Sequence, residues 1–190
     1  MQARWAFKIE YAGSHYSGWQ RQKRDPSIQQ AVEEALAGFC QNTPGLTVAG
    51  RTDAGVHAFG QVAHADILLK KSMTALELVK AINAHLRGHA IAVLAARQVP
   101  DAFDARRDAC NKLYCYRILC RKAPPVIEKD RVWHIPHDLD VEAMSAAARH
   151  LLGHHDFTTF RDSQCQARSP LRTLDRLDIG SQAYSGEIGR

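Results

Sequence analysis

The stretch AGRTDAGVHAFGQVAH, Ala49 to His64, decides the reading of this chain. Gly50, Gly55 and Gly60 punctuate it. Between them stand one cation, one acid and one imidazole: Arg51, Asp53 and His57. Glycines so placed let a backbone turn sharply or approach a ligand closely. Leu46 to Val48 before it and Gln61 to Ala65 after it have the composition of short strands. An acid on a glycine-rich turn between strands sits at the rim of a sheet, where functional residues concentrate. The residues alone leave two readings open: a catalytic carboxylate, or a hairpin in which Asp53 merely caps a turn.

Working outward to the N-terminus, Trp5, Phe7 and Ile9 alternate with Lys8 and Glu10, the pattern of a half-buried strand from Trp5 to Tyr11. The loop GSHYSGWQRQKR follows. It mixes Tyr16 and Trp19 with Arg21, Lys23 and Arg24. Aromatics that stack bases beside cations that meet phosphates give the texture of an RNA surface. A solvated loop with Trp19 tucked into the core fits the composition equally well. Pro26 and Ser27 open a helix with Ser27 as N-cap. Its buried stripe is Ile28, Val32, Ala35, Leu36 and Phe39, with Glu33 and Glu34 facing water. Beyond the central stretch, a second helix runs from Thr74 to Leu86 with Leu78, Val79, Ile82 and Leu86 inward, and Ala90 to Val99 is a strand. The first hundred residues thus read β, α, β, β, α, β. That order suits a ferredoxin-like unit, with two helices on one face of an antiparallel sheet.

Pro100 to Ala102 reads as a linker between a domain over residues 1–100 and a second over 103–190. Tyr114, Tyr116 and Ile118 lie two apart and share one face of an expected strand. They are either core tyrosines or a platform for a base. Val132 to Ile135 is a short strand. A helix from Val141 to Leu152 buries Met144, Ala148, Leu151 and Leu152. His150 and His154 are four apart, as zinc ligands on a helix can be, yet no glutamate stands in the HExxH slot and the helix should end near Gly153. His155 and Asp156 are expected to hold the following loop. The chain closes on DRLDIGSQAYSGEIGR, the expected start of a hairpin.

At 190 residues the chain is long enough to bury a sizeable core in one or two domains. A hydrophobic content of 45% with 24% charged residues is that of a globular protein. The net charge of +5 favours a polyanionic partner without identifying one. Cys40, Cys110, Cys115, Cys120 and Cys165 are odd in number and form no CxxC pair, so they read as reduced thiols, not as a disulfide frame or zinc site. The start MQARWAFKIEY is too polar for a signal peptide, and no run of 18 apolar residues exists. A cytoplasmic protein without membrane contact is the expectation.

GRTDAGVH followed by GQV resembles the signature of the TruA family of tRNA pseudouridine synthases. Further pieces follow in that family's order: the YxGWQRQ-like loop, an FxAR at Phe103 to Arg106, a YxYxI from Tyr114, an LxGxHDFxxF-like segment, and CQxRxPxR at Cys165 to Arg172. The resemblance implies two ferredoxin-like βαββαβ units around a cleft, an α+β fold with mainly antiparallel sheets. It implies Asp53 as nucleophile, Tyr114 against the target nucleotide, and Arg21, Arg51, Arg106, Arg168 and Arg172 as RNA contacts, with Arg51 entering the RNA stack as the base is turned out. The basic residue usual directly before the tyrosine is Leu113 here, with Lys112 one place earlier. Implied partners are the tRNA anticodon stem-loop, at uridines 38 to 40, and a second copy in a homodimer, with neither cofactor nor metal. Family members continue past Arg190 into a segment whose arginine pairs with the aspartate. The second unit is therefore expected to be incomplete. That leaves two rivals: a tRNA-binding fragment without catalysis, and a metal hydrolase built on His150 to Asp156.

Overall fold

The computed structural model describes residues 2–161 and 169–182. It separates into two compact units, residues 1–117 with 126–133, and residues 118–125 with 134–190. The architecture is mixed α/β with antiparallel sheets.

In the first unit, β1 (Ala3–Tyr11) leads into α1 (Ile28–Ala37), β2 (Thr47–Val48), β3 (Ala58–Ile67), α2 (Ala75–His85) and β4 (Ile91–Gln98). The strands form one sheet in the order β2-β3-β1-β4. β1 is central because both of its neighbours pair with it antiparallel, Phe7 opposite Ala63 on one side and opposite Ala96 on the other. Its alternate residues Trp5, Phe7, Ile9 and Tyr11 point into one core with Ala63, Ala65 and Ile67 of β3 and Ile91 and Val93 of β4. The expected helical stripes close over that layer: Ile28, Val32 and Leu36 of α1, Leu78 and Ile82 of α2, and Phe39 and Leu86 just beyond the helix ends. Each large side chain so buried stabilises the fold by about 1.5–3 kcal/mol.

Both helices begin where the sequence signals them. Ser27 caps α1, accepting from Gln30 N at 3.3 Å. Thr74 and Glu77 form a reciprocal capping box on α2, satisfying two otherwise orphaned amides. One expectation is overturned on α1. Glu33 does not face water but is 8% exposed. Its Oε1 accepts from Leu46 N at 3.0 Å and Gln29 Nε2 at 2.8 Å, and its Oε2 accepts from Arg21 Nε at 3.0 Å. A buried carboxylate needs such partners, and this one ties α1 to the chain entering β2.

On the opposite face of the sheet, residues 101–108 lie against β1 and β3. Arg4 bridges Asp66 and donates to the carbonyls of Asp101 and Phe103. Buried His64 accepts from Ala105 N at 3.0 Å and meets the Phe103 ring edge-on. These bonds fix Ala105, itself buried, within the FDAR segment. Residues 111–117 form no regular structure, contrary to the expected strand through Tyr114 and Tyr116; β5 (Ile118–Cys120) begins only at Ile118. Both tyrosines are exposed, so neither is a core residue.

In the second unit, β5 pairs with β6 (Trp133–Ile135), α3 (Val141–Arg149) follows, and β7 (Gly153–Asp156) pairs with β8 (Leu171–Leu174). α3 stops short of the expected Leu152. Ala148 is buried, whereas Leu151 and Leu152 remain 41% and 39% exposed. The expected loop after the helix is strand β7 instead. Cys165, Arg168 and the second half of the expected closing hairpin lie outside the described residues. No helix among the described residues is long and apolar enough to cross a membrane.

Burial holds His64 below the ordinary imidazole value of 6.5, and the neighbouring Arg4 adds to the effect. Its Nδ1 accepts the Ala105 amide, so the neutral form is the one that fits. The unfolded chain takes up a proton near 6.5 while the folded chain resists it. Stability is therefore full above that pH and is lost as pH falls from there toward the lowered folded value. Urea unfolding midpoints should fall between about pH 7.5 and about pH 5.5, and His64→Gln should flatten that slope. An unchanged slope in the variant would contradict the assignment.

Candidate active site

Asp53 lies on the loop between β2 and β3, on the surface, as the sequence places it. Among the described residues its carboxylate accepts no hydrogen bond and forms no ion pair; only its main-chain oxygen is engaged, by Val56 N at 3.2 Å. An uncommitted carboxylate is ready to react with a bound molecule instead of stabilising the fold. The loop beneath it is the opposite: it is fastened at successive residues.

The fastening comes from the loop after β1. Trp19 N donates to Thr52 O at 2.9 Å, Gly55 N donates to Tyr16 O, and Gly13 N donates to His57 Nδ1 at 3.3 Å. Two glycines make that approach possible. A Cβ on Gly13 would fall 2.1 Å from Val56 O, and one on Gly18 would fall 2.7 Å from Thr52 O. Gly18 also holds φ +91°, where L side chains are strained. The same loop seals the start of α1, where Gly18 O and Trp19 O accept from Ile28 N and Gln29 N.

Trp19 settles between its two readings. It is 0% exposed, with its ring 5.9 Å from that of Tyr11, so it is a core residue and not a base-stacking platform. Tyr16 is half-buried, its hydroxyl 3.2 Å from His89 Nδ1, and burial pushes its pKa up.

From the sheet side, Tyr11 and Thr52 share a hydrogen bond of 2.8 Å through their hydroxyls, and Gln61 Nε2 donates to Gly50 O at 2.7 Å. His57, half-buried, bonds through Nε2 to Asp130 O at 2.8 Å. With Nδ1 accepting from Gly13, Nε2 carries the proton that Asp130 receives. The Lys112 side chain occupies the space that a Cβ on Gly50 would need. The Lys112 cation thus lies beside the start of the Asp53 loop.

The remaining expected site residues divide. Arg51 is exposed on the Asp53 loop, and Tyr114 is exposed two residues beyond Lys112. Arg106 is exposed, and its main-chain N–H donates to Asp104 Oδ1. Arg21 is engaged with α1 through Glu33 and, at 3.6 Å, Glu34, so it serves that helix. It also belongs to a wide basic hollow of about 650 Å³ with Lys23 and Arg24. Arg172 belongs to the second unit on β8, its guanidinium donating to Ser169 O and Leu171 O. Arg168 lies outside the described residues.

The histidine cluster takes a different form from the one expected. α3 ends at Arg149, so His150 and His154 do not share a helix face. His154 bonds Thr173, His155 bonds Leu152 O, and Asp156 accepts from Thr158. The described residues contain no group of three or more His, Cys, Asp or Glu placed to hold a metal ion.

Tyr11, Thr52 and Gln61 were not legible as site residues. Tyr11 looks like the end of a core strand and Gln61 like the polar face of another. The sole signal was the place of Thr52 and Gln61 within the glycine-rich stretch; Tyr11 had none.

The sequence profile described as tRNA pseudouridine synthase matches residues 8–107 and 147–187. A protein named tRNA pseudouridine synthase A from Mesorhizobium japonicum is 53% identical over 178 residues, covering 93% of this chain and 71% of that protein. The protein of that name from Sinorhizobium fredii is 49% identical over 187 residues, covering 97% and 74%. Its namesake from Dinoroseobacter shibae is 51% identical over 176 residues, covering 93% and 68%.

The approach of the two loops gives a direct test. Gly18→Ala should cost about 1–3 kcal/mol in denaturant unfolding, because strain and collision with Thr52 O act together. Gly45→Ala, with nothing within 4 Å of its Cβ position, should be close to silent. Equal effects at the two positions would contradict the role given to Gly18.

Proposed function

Because the chain belongs to the tRNA pseudouridine synthase family, whose reaction isomerises uridine to pseudouridine in tRNA, we propose that Asp53 is its nucleophile and that its targets are uridines 38 to 40 of the anticodon stem-loop. One observation carries the assignment: Asp53 presents an exposed carboxylate, without a bond among the described residues, from a loop whose backbone is fastened at Thr52 and Gly55 and whose His57 ring accepts from Gly13 N.

The reaction breaks the C1′–N1 bond, turns the uracil, and joins C5 to C1′. N1 gains a proton and C5 loses one, so composition and oxidation level are unchanged and the chemistry calls for no redox partner. A carboxylate suits it, since it can add to the nucleotide and leave again. Reaching a base within a stem requires turning it out, at a cost of a few kcal/mol. Contacts between cations and phosphates offset that cost. Arg51, beside Asp53, is the residue for the vacated place in the stack. Tyr114, with an exposed ring two residues beyond Lys112, whose side chain lies beside Gly50, packs on the turned-out uracil. Arg21, Arg106, Arg168 and Arg172 meet the RNA backbone.

The β1-α1-β2-β3-α2-β4 order and the β2-β3-β1-β4 sheet support a ferredoxin-like first domain over residues 1–100. The second domain, 103–190, is read as an incomplete unit of the same kind. A homodimer sharing one tRNA in the cytoplasm completes the reading.

The test maps pseudouridine in tRNA carrying uridines at 38 to 40. The wild-type chain should convert them. Asp53→Ala should convert none while binding tRNA within a few-fold of wild type, with affinity falling as salt rises. Tight binding without conversion by the wild type would make the chain a tRNA-binding protein instead. Tyr114→Phe should convert at close to the wild-type rate, because the stacking ring is kept; a large loss would assign its hydroxyl to proton transfer.

A further inference from the structure

We propose that Tyr11 and Gln61 are positioning residues for the isomerisation, acting through the backbone on either side of Arg51 to hold the Asp53 carboxylate in its reactive place; this rests on the reading of Asp53 as nucleophile.

Tyr11 is the last residue of β1 and is 3% exposed. Its ring fills the core against Trp19. A phenylalanine would fill the same space, so packing does not call for the hydroxyl. What the hydroxyl adds is the 2.8 Å bond to Thr52 Oγ1 on the loop.

Gln61 arrives by a bulge. Ile9 pairs with Gln61 and Tyr11 with Ala58, so β3 advances one residue more than β1. Bulges re-aim side chains and recur beside active sites. Gln61 alternates with Ala63 and Ala65, which are buried, yet its amide reaches the loop. Nε2 donates to Gly50 O at 2.7 Å and lies 3.4 Å from the Tyr11 hydroxyl.

Donor chemistry then fixes the order of protons. An amide NH2 only donates, so the Tyr11 oxygen accepts from Gln61; with Tyr11 buried and Thr52 Oγ1 beside it, donation of the Tyr11 hydrogen to Thr52 Oγ1 leaves none of the three groups without a partner. Turning the Gln61 amide over would set its oxygen against the Gly50 carbonyl, two acceptors facing each other. The chain Gln61 to Tyr11 to Thr52 therefore has one favoured arrangement, and its members reinforce one another.

The consequence falls on Asp53. Gly50 is held by its carbonyl. Thr52 is held twice, through Oγ1 by Tyr11 and through its carbonyl by Trp19 N. With both neighbours of Arg51 fixed, the peptide leading into Asp53 cannot rotate freely. The carboxylate itself needs no bond to the fold and stays available. Placing a reacting group before substrate arrives removes an entropic cost from the chemical step, and small displacements are expensive in rate.

Single-turnover conversion at saturating tRNA tests the proposal, with affinity measured separately and Asp53→Asn alongside. Tyr11→Phe, Thr52→Val and Gln61→Met should each slow the step by about tenfold or more with affinity unchanged. The Tyr11→Phe, Thr52→Val pair should be no slower than its slower member, because both remove one bond. Thr52→Ser, which keeps the hydroxyl, should restore most of the rate. Amide exchange reads the same prediction without turnover: in Tyr11→Phe, residues 54–56 should exchange faster while β1 and β4 keep their protection. Full rate in Tyr11→Phe beside an inactive Asp53→Asn would overturn the proposal and leave the nucleophile standing. So would slowed conversion matched by weaker affinity and faster exchange throughout the sheet, since the hydroxyl would then serve the fold. Activity in Asp53→Asn would overturn the nucleophile and the positioning role together.

Discussion

Two backbones meet without side chains between them at Gly13 and Gly18, and the first unit is arranged so that they can. The loop after β1 touches the main chain of residues 52–56 at distances that a Cβ would forbid. Because it does, Trp19 can enter the core beside Tyr11 and still hold Thr52 by its amide. The same loop supplies carbonyls to the first turn of α1. Core, helix start and Asp53 loop are thus joined through one contact, and a residue larger than glycine there would disturb all three.

The separation of roles follows from that constraint. Residues that support the Asp53 loop, Tyr11, Trp19 and Gln61, are buried or half-buried and engaged, Trp19 Nε1 excepted, which is buried without a partner among the described residues. Residues proposed to meet RNA, Arg51, Asp53, Arg106 and Tyr114, are exposed. Rigid support under a solvent-facing carboxylate is the arrangement that nucleophilic catalysis on a large, mobile substrate requires. Such a substrate supplies its own desolvation when it covers the site.

Much of the first unit was legible because its signals are local. Ser27 and Thr74 announce their helices, the apolar stripes fall at helical spacing, and Trp5 to Tyr11 alternates. The motif around Asp53 singles it out, and the structure sets it on the exposed loop between β2 and β3. What escaped depended on contacts distant in sequence. Glu33 sits where the helical pattern puts a solvent residue, but Leu46 N and Arg21 draw it inward. Tyr114 and Tyr116 have strand spacing, yet they pair with no neighbouring strand, so spacing alone does not make one there. Trp19 read equally well as surface or core, because only the packing of Tyr11 decides it. The bulge that aims Gln61 leaves no mark in composition; it is a difference in register between two strands that each look regular.

The most direct measurement is release of tritium from C5 of uridine in tRNA, followed through the first turnover with wild-type chain and with Asp53→Asn. Once C5 is joined to C1′, loss of that hydrogen as a proton restores the C5–C6 double bond, so the count reports completion of the isomerisation. The wild type should release tritium in step with pseudouridine formed, and the variant none above background. Release by Asp53→Asn at a comparable rate would contradict it, because the reaction would then run without the carboxylate that the loop is built to present.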